Sequence, residues 1–159
     1  MTVQNIILVA AATATALMAG LFYAFSCAVN LGLARLSNAE YVLAMQSINR
    51  AIQNPVFFAP FFGAPILLLL STFLHYEQSA RFRFLLAATL IYLIGTFDVT
   101  VFGNVPLNNA LDRFNLVSAS NEETALQRTK FEGRWNNLNT IRTVSSTLAI
   151  ILVVIACLN

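Results

Sequence analysis

Four long runs of the chain carry no Asp, Glu, Lys or Arg: residues 6–33, 55–74, 84–97 and 143–159. A helix rises about 1.5 Å per residue and the hydrocarbon core of a bilayer is about 30 Å thick, so about 20 apolar residues cross it. In lipid the backbone must satisfy its own hydrogen bonds, so runs this long and apolar predict helices, and the lack of strand-like alternation argues against a barrel. The expected spans are about 6–33, 56–76, 84–105 and 141–158, in a single helical domain covering residues 1–159.

Between the spans the pattern changes period. Ser37-Asn38-Ala39-Glu40 is a capping box, and Tyr41, Met45, Ile48 and Ile52 behind it recur at helical spacing up to Asn54-Pro55. That predicts a short amphipathic helix. Ser120-Asn121-Glu122-Glu123 is a second capping box, and its helix is expected to run on into the fourth span. The fold class is therefore all-α: an integral membrane bundle of four transmembrane helices with two amphipathic connector helices. Span two opens with Pro55, Pro60 and Pro65 around Gly63, and interior prolines tend to kink a helix. The alternative is a re-entrant proline-rich stretch, which leaves three spans and termini on opposite sides.

Composition agrees, at 58% hydrophobic and 10% charged residues with a mean hydropathy of +0.71. A net charge of +2 without a basic patch excludes a nucleic-acid partner. The expected surroundings are the lipid bilayer and a hydrophobic small molecule, and a homo-oligomer is compatible with the pattern. Cys27 and Cys157 fall inside spans, where small packing residues are expected rather than a disulfide. Met1 to Asn5 lacks a basic n-region and the apolar run outlasts a signal-peptide h-region, so the first span is expected to be retained. Seven of the nine basic residues follow spans one and three. The positive-inside rule then puts both long connectors in the cytoplasm of a multi-pass protein, expected in a bacterial inner membrane.

Two polar clusters could carry chemistry. In the first, Asn104, Asn108 and Asp112 share one face of a helix at the end of span three. In the second, Trp135, Asn139, Arg142 and Ser146 fall within a sector of about 60° at about 100° per residue. Arg142, at the head of an apolar helix, either snorkels to the interface or faces the bundle, where Asn108 or an acid of span three would meet it. Asp98 lies inside span three and is either a functional group or a structural partner for Arg142 or for a threonine or tyrosine. Trp135 is either a site residue or an interfacial belt aromatic. Phe57, Phe58, Phe61 and Phe62 are either packing and lipid contacts or a ligand platform. His75, at a span end, is expected to be solvated.

Motif absences narrow the chemistry further. One histidine cannot supply a bis-His haem, and no Glu-x-x-His pair is present for a carboxylate-bridged di-iron site. There is no Cys-x-x-Cys, glycine-rich dinucleotide loop or P-loop, and no convincing Ser-His-Asp set. The expectation is no cofactor and no metal.

Gly20-Leu-Phe-Tyr23-Ala-Phe-Ser26, Met45-Gln-Ser-Ile-Asn49-Arg50, Asn104-Val-Pro-Leu-Asn108, and Phe131-Glu-Gly-Arg134-Trp135 with Asn139-Thr-Ile-Arg142-Thr143 resemble the anthrone oxygenase-like membrane proteins. The resemblance runs in order over nearly the whole chain. It implies a cofactor-independent monooxygenase that converts an anthrone-type polycyclic or phenolic compound to a quinone. It also implies an apolar slot from Phe57, Phe58, Phe61 and Phe62, with Asn104 contacting substrate. Donors would come from Asn108, Trp135, Asn139 and Arg142, and the base from either Asp98 or Asp112. Where the family carries a second aromatic after Arg-Trp, this chain has Asn136-Asn137-Leu138. The other class kept open is a non-enzymatic small membrane protein that binds a lipid-like ligand or assembles with a membrane partner.

Overall fold

The structure is a computed structural model that describes residues 2–159, and it is helical throughout its ordered elements. We label the helices α1 (Val3–Leu33), α2 (Asn38–Ala51), α3 (Pro55–Leu74), α4 (Ser79–Asp112) and α5 (Asn121–Leu158). All but α2 are long and apolar enough to cross a membrane. The boundaries follow from local chemistry. Thr2 caps α1, and both capping boxes form with Ser37 and Ser120 at their N-caps. Asn54 caps α3 by accepting from the Phe57 amide at 3.1 Å, with Pro55 in the first turn where its missing N–H costs nothing.

Pro60 and Pro65 do not break α3, which runs 20 residues, about 30 Å, without interruption. The re-entrant alternative is therefore not realised. Gln4 Nε2 reaches the Leu74 carbonyl at 3.2 Å, and Arg81 Nε reaches the Ala156 carbonyl at 3.0 Å, so α1 runs against α3 and α4 against α5. The helices alternate up and down around a closed ring, with α1 and α4 each touching α3 and α5. The beginning of α1 and the end of α5 lie at the same end of the bundle, and the long connectors at the other.

The core is filled in the way lipid requires. Between helices that all face lipid, close backbone approach substitutes for the hydrophobic effect, and small residues permit it. Ala11, Ala64, Ala88, Ala149 and Ala156 are fully buried among Leu8, Met18, Leu68, Leu85 and Val153. Gly95 lies so close to Ser145 of α5 that a Cβ there would overlap its side chain. A second cluster (Leu33, Tyr41, Val42, Met45, Leu111, Phe131 and Trp135) joins the connectors to the first half of α5. At 38 residues α5 is about 57 Å long, nearly twice the hydrocarbon thickness. Its N-terminal half therefore serves the connectors, where Arg128 bonds Glu132 and the carbonyls of Ala34 and Leu36.

Two helices contain π-helical segments, Phe25–Val29 in α1 and Leu93–Asn104 in α4. The Asn30 amide bonds to the Phe25 carbonyl and the Val105 amide to the Thr100 carbonyl, each five residues back. Such segments turn the side chains that follow them relative to an α-helical register.

Two expectations need correction. His75 is 1% exposed, not solvated, and its Nδ1 lies 2.8 Å from the Ser71 carbonyl. Cys27 and Cys157 are free thiols on the outer face and do not pack the core.

Candidate active site

At the connector end the bundle forms a partly open cavity of about 250 Å³. Its position follows from the helix directions. The late turns of α1 bring Phe22 and Phe25, the first turns of α3 bring Phe57, Phe58 and Phe61, and α5 brings Trp135 and Arg142. The amphipathic helix α2 closes one side with Ile48, Asn49, Ile52 and Gln53, and α4 adds Thr100, Asn108 and Asn109. Phe57 and Phe61 stack at 5.3 Å, and Phe61 stacks on Phe97 at 5.2 Å. The result is a mainly apolar cavity with aromatic walls, into which a smaller set of polar side chains reaches.

The polar part is built by α5 against its neighbours. Trp135 is 4% exposed, and its Nε1 donates to Asn108 Oδ1 at 2.9 Å. An indole N–H can only donate, which fixes the Asn108 amide with its oxygen toward Trp135 and leaves its NH₂ to donate elsewhere. Asn104 Nδ2 reaches the Trp135 carbonyl at 3.5 Å. Asn139, fully buried, donates to the Phe22 carbonyl at 3.2 Å and to Ser26 Oγ at 2.9 Å. Thr143 reinforces the same junction, 2.8 Å from Ser26 Oγ and 3.0 Å from the Phe22 carbonyl. The start of the α1 π-helical segment, at Ser26, and the turn before it, at Phe22, are thus held by side chains of α5.

Arg142 lies at the centre. It is 5% exposed, so it does not snorkel, and it faces the cavity. Its Nη2 donates to Asn139 Oδ1 at 2.9 Å, while Cζ lies 4.4 Å from the Phe22 ring centroid and 5.2 Å from that of Trp135. The expected partners, Asn108 or an acid of span three, do not bond it. Among the described residues no carboxylate forms an ion pair with it, and its Nε has no hydrogen-bond partner.

The other sequence candidates divide cleanly. Asn108, Trp135, Arg142, Phe57, Phe58 and Phe61 line the cavity, and Asn104 and Asn139 stand behind its wall. Phe62 is 48% exposed, stacks on Phe58 and meets Phe61 edge-on. Asp98 projects from the outer face of α4, and Asp112 is at the surface, 2.7 Å from Arg50 Nε. Phe22, Phe25, Asn49, Thr100 and Asn109 line the cavity without having been singled out. Phe22, Phe25 and Asn49 sit inside the quoted motifs, so that was the available signal. Among the described residues no three His, Cys, Asp or Glu side chains cluster as a metal site.

The family model described as anthrone oxygenase matches residues 50–152, which include α3, α4 and most of α5. No curated protein and no solved structure matches the chain significantly.

Proposed function

Since the chain belongs to the anthrone oxygenase family, we propose that it is a membrane-embedded, cofactor-independent oxygenase that converts an anthrone-type polycyclic or phenolic compound to a quinone. The observation that carries this reading is the cavity itself, of about 250 Å³, lined by Phe22, Phe25, Phe57, Phe58 and Phe61 together with a buried guanidinium and an oriented amide. A bundle filled by its own side chains would instead have favoured a non-enzymatic partner protein.

The chemistry needs few parts. Loss of a proton from the activated CH₂ of an anthrone gives an enolate, with charge on the oxygen placed against Arg142 and the Asn108 amide. The enolate passes one electron to dioxygen, giving a substrate radical and superoxide, which combine at carbon to a peroxide anion. The peroxide takes up a proton and loses water to leave the new carbonyl. One substrate and one dioxygen give one quinone and one water. Donors fixed in place before the reaction, in a site of low dielectric, stabilise the developing oxyanion without reorganising. The apolar walls supply a phase in which both the substrate and dioxygen dissolve.

The test is turnover by the purified protein in lipid nanodiscs with a simple anthrone. Quinone absorbance should rise faster than in empty nanodiscs, and Trp135→Phe, which releases Asn108, should slow it. A rate equal to that of empty nanodiscs would leave the binder reading in its place.

A further inference from the structure

The cavity contains one ionisable side chain, and it is a cation. Phe22 on α1 and Trp135 and Asn139 on α5 lie against Arg142, and the other polar side chains lining the cavity are Asn49 and Gln53 on α2 and Thr100, Asn108 and Asn109 on α4. None of these titrates in the physiological range. The acids of the polar clusters are engaged elsewhere, Asp112 by Arg50 and Glu132 by Arg128. Arginine stays protonated in proteins, and a buried charge normally requires a paired partner. Here the guanidinium has one neutral hydrogen bond and two ring faces, with Nε unsatisfied. Asn49 Nδ2, a second donor on a cavity-lining residue, also lacks a partner. Both are donors on cavity-lining residues, whereas the unpartnered acceptor Asn104 Oδ1 stands behind the wall and is neutral, so the complement the guanidinium lacks is an acceptor carrying negative charge.

We propose that the site binds its ligand as a flat aromatic oxyanion, a phenolate or enolate, and that Arg142 selects this form without help from any protein base. This rests on the oxygenase reading for its substrate but not for its test. It follows that the proton leaves to water as the ligand is bound, so the site favours the ionised substrate that reacts with dioxygen. It also follows that a neutral quinone is held less tightly than the anion it came from. The product is then released because its charge is gone. The aromatic walls favour a planar ring anion over the carboxylate of a flexible chain.

2-Hydroxynaphthalene and 2-methoxynaphthalene are suitable probes, because the phenol and its phenolate absorb differently and the ether cannot ionise. Titrated into the full-length protein in nanodiscs, with empty nanodiscs subtracted, the hydroxyl compound should show a larger ionised fraction when bound than when free at the same pH. At a pH where the free hydroxyl compound is already mostly ionised, so that ionisation costs little, it should also bind about tenfold or more tightly than the ether, as expected for a charge-assisted hydrogen bond. Arg142→Gln should remove both effects while ether binding, which reports an intact cavity, persists. Equal affinity for the two probes together with an unchanged ionised fraction in the wild-type protein would overturn the proposal, whatever the variant does. Displacement of the bound naphtholate by equimolar laurate would also overturn it, in favour of a fatty-acid site. A protein with the anion preference but no dioxygen uptake would contradict the oxygenase reading and leave this one standing.

Discussion

Asn139→Ala should destabilise the bundle by about 3 kcal/mol, and the source of that figure can be followed bond by bond. The substitution removes two interhelical bonds donated to α1, at 3.2 Å to the Phe22 carbonyl and 2.9 Å to Ser26 Oγ. Side-chain bonds between membrane helices average about 0.6 kcal/mol, so these two contribute about 1 kcal/mol. The third bond, from Arg142 Nη2 at 2.9 Å, involves a charge, and such bonds are worth about 1.5–3 kcal/mol. Neither Phe22 nor Ser26 is orphaned, because Thr143 still bonds both. Arg142 is, and that makes Asn139 the larger of the two contributors. Thr143→Val should accordingly cost only about 1 kcal/mol. Unfolding by dodecyl sulfate titration in mixed micelles, read by the fluorescence of Trp135, the single tryptophan, measures both. If Asn139→Ala cost no more than Thr143→Val, the idea that Asn139 holds the buried guanidinium would be refuted.

Arg142→Lys should reduce turnover by about 100-fold, since an ammonium cannot reproduce the planar fork that faces the ligand oxygen; initial rates with an anthrone measure this. Gly95→Val should cost about 1–3 kcal/mol in the same micelle titration, because the branched side chain meets Ser145 on α5. Desolvation first, and the Glu132 charge second, push the Tyr41 phenol in the connector region above its ordinary value, against the opposing influence of Arg128. A pKa raised on folding gives stability that is complete below about pH 10, the unfolded value, and lost as pH rises toward the folded one. Tyr41→Phe should flatten that alkaline decline in a pH series of unfolding midpoints.

The sequence declared its spans because lipid forbids charge, so four uncharged runs and two capping boxes located the helices with little tertiary information. The site was readable where an α-helical register holds. Trp135, Asn139, Arg142 and Ser146 lie in a regular stretch of α5, and all four are buried as their spacing implied. On α4 it was readable only in part: Asn104 and Asn108 reach the site, whereas Thr100, inside the segment bonded five residues back, lines the cavity without a mark in the sequence. Asp98 itself lies on the exposed face of α4, neither lining the cavity nor pairing with Arg142. Asp112 was lost because Arg50 on α2 offers it a surface partner, and no spacing rule links those two helices. Phe22 and Phe25 were hidden by abundance, since one more phenylalanine in an apolar span carries no local mark of a ligand wall. His75 was misjudged because a span end suggests water, whereas the bundle closes over it.

Labelled dioxygen tests the oxygenase claim most directly. Wild-type protein in nanodiscs, given an anthrone under ¹⁸O₂ in unlabelled water, should form quinone faster than empty nanodiscs. Each quinone should carry one labelled oxygen, and one dioxygen should be consumed per quinone, with the acceleration largely lost in Arg142→Gln. Quinone formed at the protein-free rate, or carrying oxygen from water at the new carbonyl, would contradict the account.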